Sequence, residues 1–137
     1  MFDKPFALEI VAPDRIVYRD QVSAVRVPGT KGSFQVLHGH APLLSSIEIG
    51  VVAVKDPGGR DHLFATSGGF VEVRDGAVVV LVETAESASG IDVSRADAAR
   101  QRAEKRLHER RAEVDFVRAE AALRRALNRL RVAGTGS

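Results

Sequence analysis

The sequence predicts an α+β chain: an N-terminal antiparallel β-sandwich, or flattened barrel, over residues 1–90, then a C-terminal two-helix antiparallel hairpin over residues 91–137. Three observations point there. Residues 1–90 hold ten of the twelve glycines and all five prolines, whereas Ile91 to Ala133 contain neither and are dominated by Ala, Arg and Glu. The first part alternates apolar and polar residues with period two, and the second repeats its apolar residues every three or four. The chain of 137 residues is long enough for one modest core plus an appendage, not for two full domains. The junction at Gly90 is where two units can move against each other.

In the first unit, Phe6, Leu8 and Ile10 alternate with Ala7, Glu9 and Val11, the pattern of a strand with one buried face. Further strand-like runs are Arg15–Arg19, Val22–Val27, Ser33–Leu37, Gly50–Lys55, Asp61–Thr66, Phe70–Arg74 and Ala77–Glu83. Asp75-Gly76 separates the last two by a two-residue hairpin turn. Pro57-Gly58-Gly59 supplies another turn, between Gly50–Lys55 and Asp61–Thr66. Ser67-Gly68-Gly69 reads as a bulge or tight bend. Roughly eight to ten short strands with no long helix between them argue for a sandwich and against a parallel α/β sheet.

In the second unit, Asp92 is suited to cap a first helix just after Gly90. Ala96, Ala99, Ala103 and Leu107 form a narrow stripe, and Val117, Ala121, Leu123, Leu127 and Leu130 form another. An alanine stripe lets helices approach closely but buries little area, so the hairpin should be only marginally stable by itself. The turn is expected near Arg111–Asp115, with Asp115 capping the second helix. With neither Gly nor Pro at that corner, it can straighten into one continuous rod at little local cost. The tail Gly134-Thr135-Gly136-Ser137 is expected to be disordered.

Several chemistries are excluded at once. No cysteine is present, which rules out disulfides, thiol catalysis and Cys-ligated metals. The longest strictly apolar run, Ala77–Val82, falls far short of the ~20 residues that span a bilayer. The opening Met1-Phe2-Asp3-Lys4-Pro5 lacks signal-peptide character, so a cytoplasmic location is expected. There is no P-loop, G-x-S-x-G elbow, H-E-x-x-H or Rossmann glycine fingerprint. His38 and His40 form an H-x-H pair, but with no carboxylate or third His nearby they read as loop residues, not metal ligands. Nothing proposes catalysis.

Charge is unevenly spread. Residues 1–91 carry 8 Lys/Arg against 11 Asp/Glu, while residues 92–137 carry 12 Lys/Arg, eleven of them Arg, against 7 Asp/Glu. If the hairpin turns near residue 112, Arg95 faces Arg129 and Ala99 faces Arg125. Arg95 and Arg102 share a face of the first helix, and Arg125 and Arg129 share one of the second. Four guanidinium groups are thus expected to converge at the open end of the hairpin, where they repel unless an anion bridges them. A polyphosphate would do so, with Asp92 and Glu86 taking amino or hydroxyl groups of a nucleoside. The alternative for these residues is a solvated cationic helix end.

The order of motifs resembles a known family. Gly39-His40-Ala41-Pro42-Leu43-Leu44 lies within the sandwich, and Ser67-Gly68-Gly69 leads into the Asp75-Gly76 hairpin. Ile91-Asp92-x-x-Arg95-Ala96, then Arg102-Ala103-Glu104, then Arg125-Ala126-Leu127-Asn128-Arg129-Leu130 follow. From Phe6 to Val132 this resembles the epsilon subunit of bacterial F-type ATP synthase. The resemblance implies a non-catalytic subunit of the central rotor stalk, whose sandwich packs on the gamma subunit and the c-ring. It implies a helical part that either folds on the sandwich or extends into the catalytic alpha/beta hexamer and blocks ATP hydrolysis. It further implies no obligatory cofactor but ATP as a regulatory ligand, held by Glu86, Ile91, Asp92, Arg95, Ala96, Arg102, Arg125 and Arg129. The implied location is the cytoplasmic face of the bacterial plasma membrane, peripheral and without a transmembrane segment. Two positions depart from the family's pattern: His38 stands where Pro is common, and Ser33 stands where some members carry an acidic residue.

Two other function classes fit the residues less well. A small nucleic-acid-binding protein with a basic helical arm would want cations spread along one outer face, with aromatics for single strands. Phe116 is the lone aromatic of the helical unit, and Glu104, Glu109, Glu113 and Glu120 interrupt the charge, so no nucleic-acid partner is expected. A cupin-like enzyme would need a metal set that the β unit lacks.

Overall fold

The computed structural model describes residues 4–109 and 113–135. Ten strands come first: β1 (Phe6–Ala12), β2 (Arg15–Val22), β3 (Ala24–Val27), β4 (Phe34–Val36), β5 (Leu43–Ile47), β6 (Gly50–Lys55), β7 (Asp61–Thr66), β8 (Gly69–Arg74), β9 (Ala77–Val82) and β10 (Ala85–Ser87). A single 3-10 turn at Ala88–Gly90 leads to the helices α1 (Val93–Glu109) and α2 (Glu113–Thr135). The strands form two five-stranded sheets, in the orders β2-β1-β9-β8-β5 and β10-β7-β6-β3-β4.

The sandwich forms because alternate residues are apolar. In β1, Phe6, Leu8, Ile10 and Ala12 are buried, as the period-two pattern requires. Phe6, Leu8 and Ile10 meet Val22, Val25, Val27, Val36, Val52, Val54, Val71, Val78 and Val80 in one core between the sheets. β-branched valines suit this pleated, half-buried surface. Asp75 and Gly76 both take positive φ, 53° and 75°, and close the β8–β9 hairpin with Arg74 opposite Ala77. Gly69 is required by close approach: a Cβ there would sit 1.9 Å from the Leu81 carbonyl oxygen. One pair departs from the expected antiparallel pattern, since β1 runs parallel to β9. The chain crosses to the second sheet and returns through β5 and β8 before β9 closes the first sheet between β8 and β1.

The hairpin lies on the outer face of the second sheet. The register sets Val51 opposite Ala65 and Ala53 opposite Leu63. Ala65 joins Ala88, Ile91 and Val132 in a second apolar cluster, with Val51, Leu63 and Ala133 packed around it. Between the helices the seam is alanine, with Ala96, Ala103, Ala119 and Ala126 all buried.

Three expectations for the helical unit are corrected. The stripe on α2 is rotated: Val117 and Leu127 are 61% and 47% exposed, because α2 must present alanines to α1 and Asn128 and Val132 to the sheet. Asp115 lies inside α2, which begins at Glu113, while residues 110–112 of the expected turn fall outside the described residues. Gly134 and Thr135 belong to α2 and not to a disordered tail, glycine being tolerated where a helix ends anyway. Gly136 and Ser137 lie outside the described residues.

Candidate functional site

The site grows from the junction of the two units. Asp92 starts α1 by accepting a hydrogen bond from the backbone N–H of Arg95 to its Oδ1 at 3.1 Å, a side-chain cap. Ile91, just before it, is buried in the cluster that seats the hairpin on the sheet. These anchors fix where α1 leaves the sandwich and place Arg95 and Ala99 toward α2.

There, a cavity of about 760 Å³ opens between three walls. α1 supplies Arg95 and Ala99, and α2 supplies Ala122, Arg125, Ala126, Asn128 and Arg129. The sandwich supplies Thr66, Ser67, Glu83, Ala85 and Glu86, together with Asp14 and Arg15 from its other sheet. The volume falls within the roughly 300–1,000 Å³ range of small-molecule sites. The small alanine side chains are what leave the space.

The charges are partly arranged already. Glu86 holds Arg129: Oε2 accepts from Nη2 at 3.1 Å, and Oε1 lies 2.7 Å from Nε. The Nε–H is aimed off that oxygen, so the short contact is Coulombic while Nη2 carries the hydrogen bond. Arg15 donates from Nη2 to the Ala85 carbonyl at 3.3 Å. The lining therefore holds four arginines against the carboxylates of Asp14, Glu83 and Glu86. With Glu86 spent on Arg129, the remaining excess is cationic and suits an anion.

Of the residues expected to form the site, the cavity brings together Glu86, Arg95, Arg125 and Arg129. Arg95 and Arg129, and Ala99 and Arg125, expected to face each other across the hairpin, all line this cavity. Arg102 is exposed and outside the lining. Seven residues beyond Arg95 on a helix rising 1.5 Å per residue, it starts about 10 Å further along. Ala96 is buried in the helix seam and Ile91 in the contact with the sheet, so both shape the site from behind. Asp92 and Glu86, expected to take polar groups of a ligand, are engaged within the protein, one as a cap and the other with Arg129. Sequence reasoning missed Arg15, Thr66 and Asn128. Asn128 carried no local signal, because Arg124, Arg125 and Arg131 are its neighbours one turn away on the helix.

Outside the cavity, one cation of α1 is held by two carboxylates. Arg100 is gripped by Asp97 and Glu104 at 2.8 and 2.9 Å, and these partners raise its pKa further. No group of three His, Cys, Asp or Glu able to hold a metal occurs among the described residues. In the H-x-H segment, His40 Nδ1 lies 2.7 Å from the Ala41 carbonyl. No helix among the described residues is long and apolar enough to cross a membrane.

Comparison with known proteins adds the following. Residues 5–88 match the family model of the ATP synthase delta/epsilon chain beta-sandwich domain. Residues 89–134 match that of the delta/epsilon chain long alpha-helix domain. The ATP synthase epsilon chain of Syntrophomonas wolfei is 47% identical over 131 residues, covering 96% of each chain. That of Nitratidesulfovibrio vulgaris is 49% identical over 132 residues, covering 96% of this chain and 98% of the relative. Among solved structures, a chain of the Euglena gracilis mitochondrial ATP synthase OSCP/F1/c-ring assembly superposes with a TM-score of 0.77 at 24% identity, covering 88% of this chain and 76% of that one. A chain of the Tetrahymena thermophila mitochondrial ATP synthase central stalk and c-ring gives 0.59 at 11% identity, covering 93% and 95%. At these identities the two structural likenesses speak to fold.

Proposed function

The chain belongs to the ATP synthase epsilon-chain family, a non-catalytic subunit of that complex, and we propose that it also acts there as a nucleotide-sensing brake on ATP hydrolysis. In this reading residues 1–90 dock on the gamma subunit and the c-ring and couple proton flow to synthesis. Residues 91–137 are a regulatory hairpin that leaves the sandwich, extends toward the catalytic alpha/beta hexamer and blocks hydrolysis. ATP binds the docked hairpin and holds it down. The work is done peripherally at the cytoplasmic face of the bacterial plasma membrane.

One observation carries the nucleotide reading: Arg95 of α1 and Arg125 and Arg129 of α2 line one cavity with Glu86 of the sandwich. Such a cavity exists only while the hairpin is folded and docked, so an anion bound across it favours that state over the rod. Arg95, Arg125 and Arg129 are assigned to the phosphates, with Arg102 reached at the far end of a long ligand. Glu86 must release Arg129 in part, and then accepts from nucleoside amino or hydroxyl groups with Asp92; Ile91 and Ala96 form the apolar backing. No nucleic-acid partner is proposed, since the cations of α1 outside the cavity include Arg100, already bound to two carboxylates.

Calorimetric titration of the full chain with ATP tests this. Arg95→Ala or Arg129→Ala removes a charge-assisted contact worth about 1.5–3 kcal/mol and should weaken binding about tenfold or more. Arg118→Ala, on the exposed side of α2, should not. Equal binding by all three variants would reduce the arginine cluster to a solvated or docking face.

A further inference from the structure

The cavity has one arginine that the helical hairpin does not supply. Arg15 opens β2, an edge strand of the first sheet, and reaches the carbonyl of Ala85 in β10, an edge strand of the second. That bond spans the open side of the sandwich and ends at the residue before Glu86, the partner of Arg129, which lines the cavity with Arg15. At 3.3 Å it is a long hydrogen bond. It uses one of the five N–H donors that a guanidinium offers in a fixed fork. Arg15 lines the same cavity as Arg95, Arg125 and Arg129.

We propose that Arg15 is a phosphate-binding arginine of this cavity, and that a nucleotide held there ties the hairpin to the sandwich, not merely one helix to the other. The proposal rests on the nucleotide reading above. A bridge between α1 and α2 alone would stabilise the hairpin fold but leave it free to lift from the sheet as a unit. A ligand that also touches β2 binds only when the hairpin is docked, so its apparent affinity scales with the docked fraction. Staple and anion contact are compatible, because the Ala85 bond leaves the remainder of the fork for an anion.

The experiment is calorimetric titration of the full chain with MgATP, repeated for Arg15→Ala, Arg15→Gln and Arg19→Ala. Gln can still donate to the Ala85 carbonyl but carries no charge, so it separates the staple from the anion contact. Arg19 shares the strand and pairs with Glu9, away from the cavity. Both Arg15 variants should lose about tenfold in affinity, the size of one charge-assisted phosphate contact, and Arg19→Ala should lose nothing. Hydrogen exchange read on the same samples should show ATP-induced protection of residues 12–17 in the unmodified chain and not in Arg15→Gln. Undiminished affinity in Arg15→Gln would overturn the proposal while leaving the nucleotide site standing. Failure of the unmodified chain to bind ATP would remove the nucleotide reading and this inference together.

Discussion

Asn128 is the polar residue on which seating of the hairpin turns. It is 6% exposed, its Nδ2 donates to the Gly50 carbonyl at 2.8 Å, and its Oδ1 accepts from Arg131 Nη2 at 2.8 Å. Replacing it with Ala removes the helix-to-sheet hydrogen bond and the one it accepts from Arg131. A buried hydrogen bond contributes about 0.5–1.5 kcal/mol net, and more where a charged partner is involved, so the expected loss is about 1–2 kcal/mol. That corresponds to a change of about fivefold to thirtyfold in an opening equilibrium. Native-state hydrogen exchange reads it directly, because the strands and helices are followed in one sample. Amides of α1 and α2 should lose protection by that factor, together, while those of β1, β6 and β9 keep theirs. The neighbouring Leu127→Ala, at an exposed position, should change little. If the core strands lose protection in step with the helices, opening is global and the two-unit division fails. If no amide changes, the Gly50 contact does not hold the hairpin down.

Two further outcomes are expected. Deleting residues 91–137 should leave a folded sandwich, since its main core, from Phe6 to Ala85, contains no residue of the hairpin. Circular dichroism should be kept and, on the proposed reading, pull-down of gamma kept and inhibition of hydrolysis lost; an unfolded product would refute the division. Asp56 accepts from the Arg60 N–H at 2.9 Å and lies 3.0 Å from His62 Nε2, and these hydrogen bonds, that to His62 foremost, lower its pKa. A lowered folded-state pKa means the contribution is full above the ordinary carboxylate value of about 4 and is lost as pH falls through the folded value. Asp56→Asn should therefore melt earlier than the unmodified chain at neutral pH and alike at low pH. A gap that stays constant with pH would show that the carboxylate charge plays no part.

The sequence made some elements legible and hid others for physical reasons. Gly50–Lys55 and Asp61–Thr66 were readable to the residue because both ends are punctuated by glycine or turn chemistry. Asp75-Gly76 was readable because few residue pairs accept two successive positive φ values. Leu43–Ile47 is an edge strand without clean alternation, and Ala85–Ser87 is too short to carry a period. The parallel pairing of β1 with β9 joins residues about seventy apart and has no local signature. In the site, Arg95, Arg125 and Arg129 follow from helical spacing and hairpin arithmetic alone. Arg15 does not, because only the closing of the two sheets brings β2 beside β10. The pairing of Glu86 with Arg129 likewise joins residues 43 apart and has no local signature.

The same weakness that makes the hairpin hard to read makes it suited to a switch. Among the described residues its seam is alanine, and its ties to the sheet include the buried Asn128 hydrogen bond, one small apolar cluster and ion pairs. Arg129 with Glu86 is partly exposed, and Arg124 lies 3.8 Å from Glu48 at the surface. Such pairs contribute about 1 kcal/mol or less each, so no single contact holds the docked state far below the alternative. A ligand at one hundred times its dissociation constant adds about 2.7 kcal/mol to the state it binds. That exceeds any one of these contacts and is comparable to several together. On the proposed reading, nucleotide concentration is therefore large enough to decide the position of a hairpin held this loosely. A larger core under α2 would have made the same ligand irrelevant.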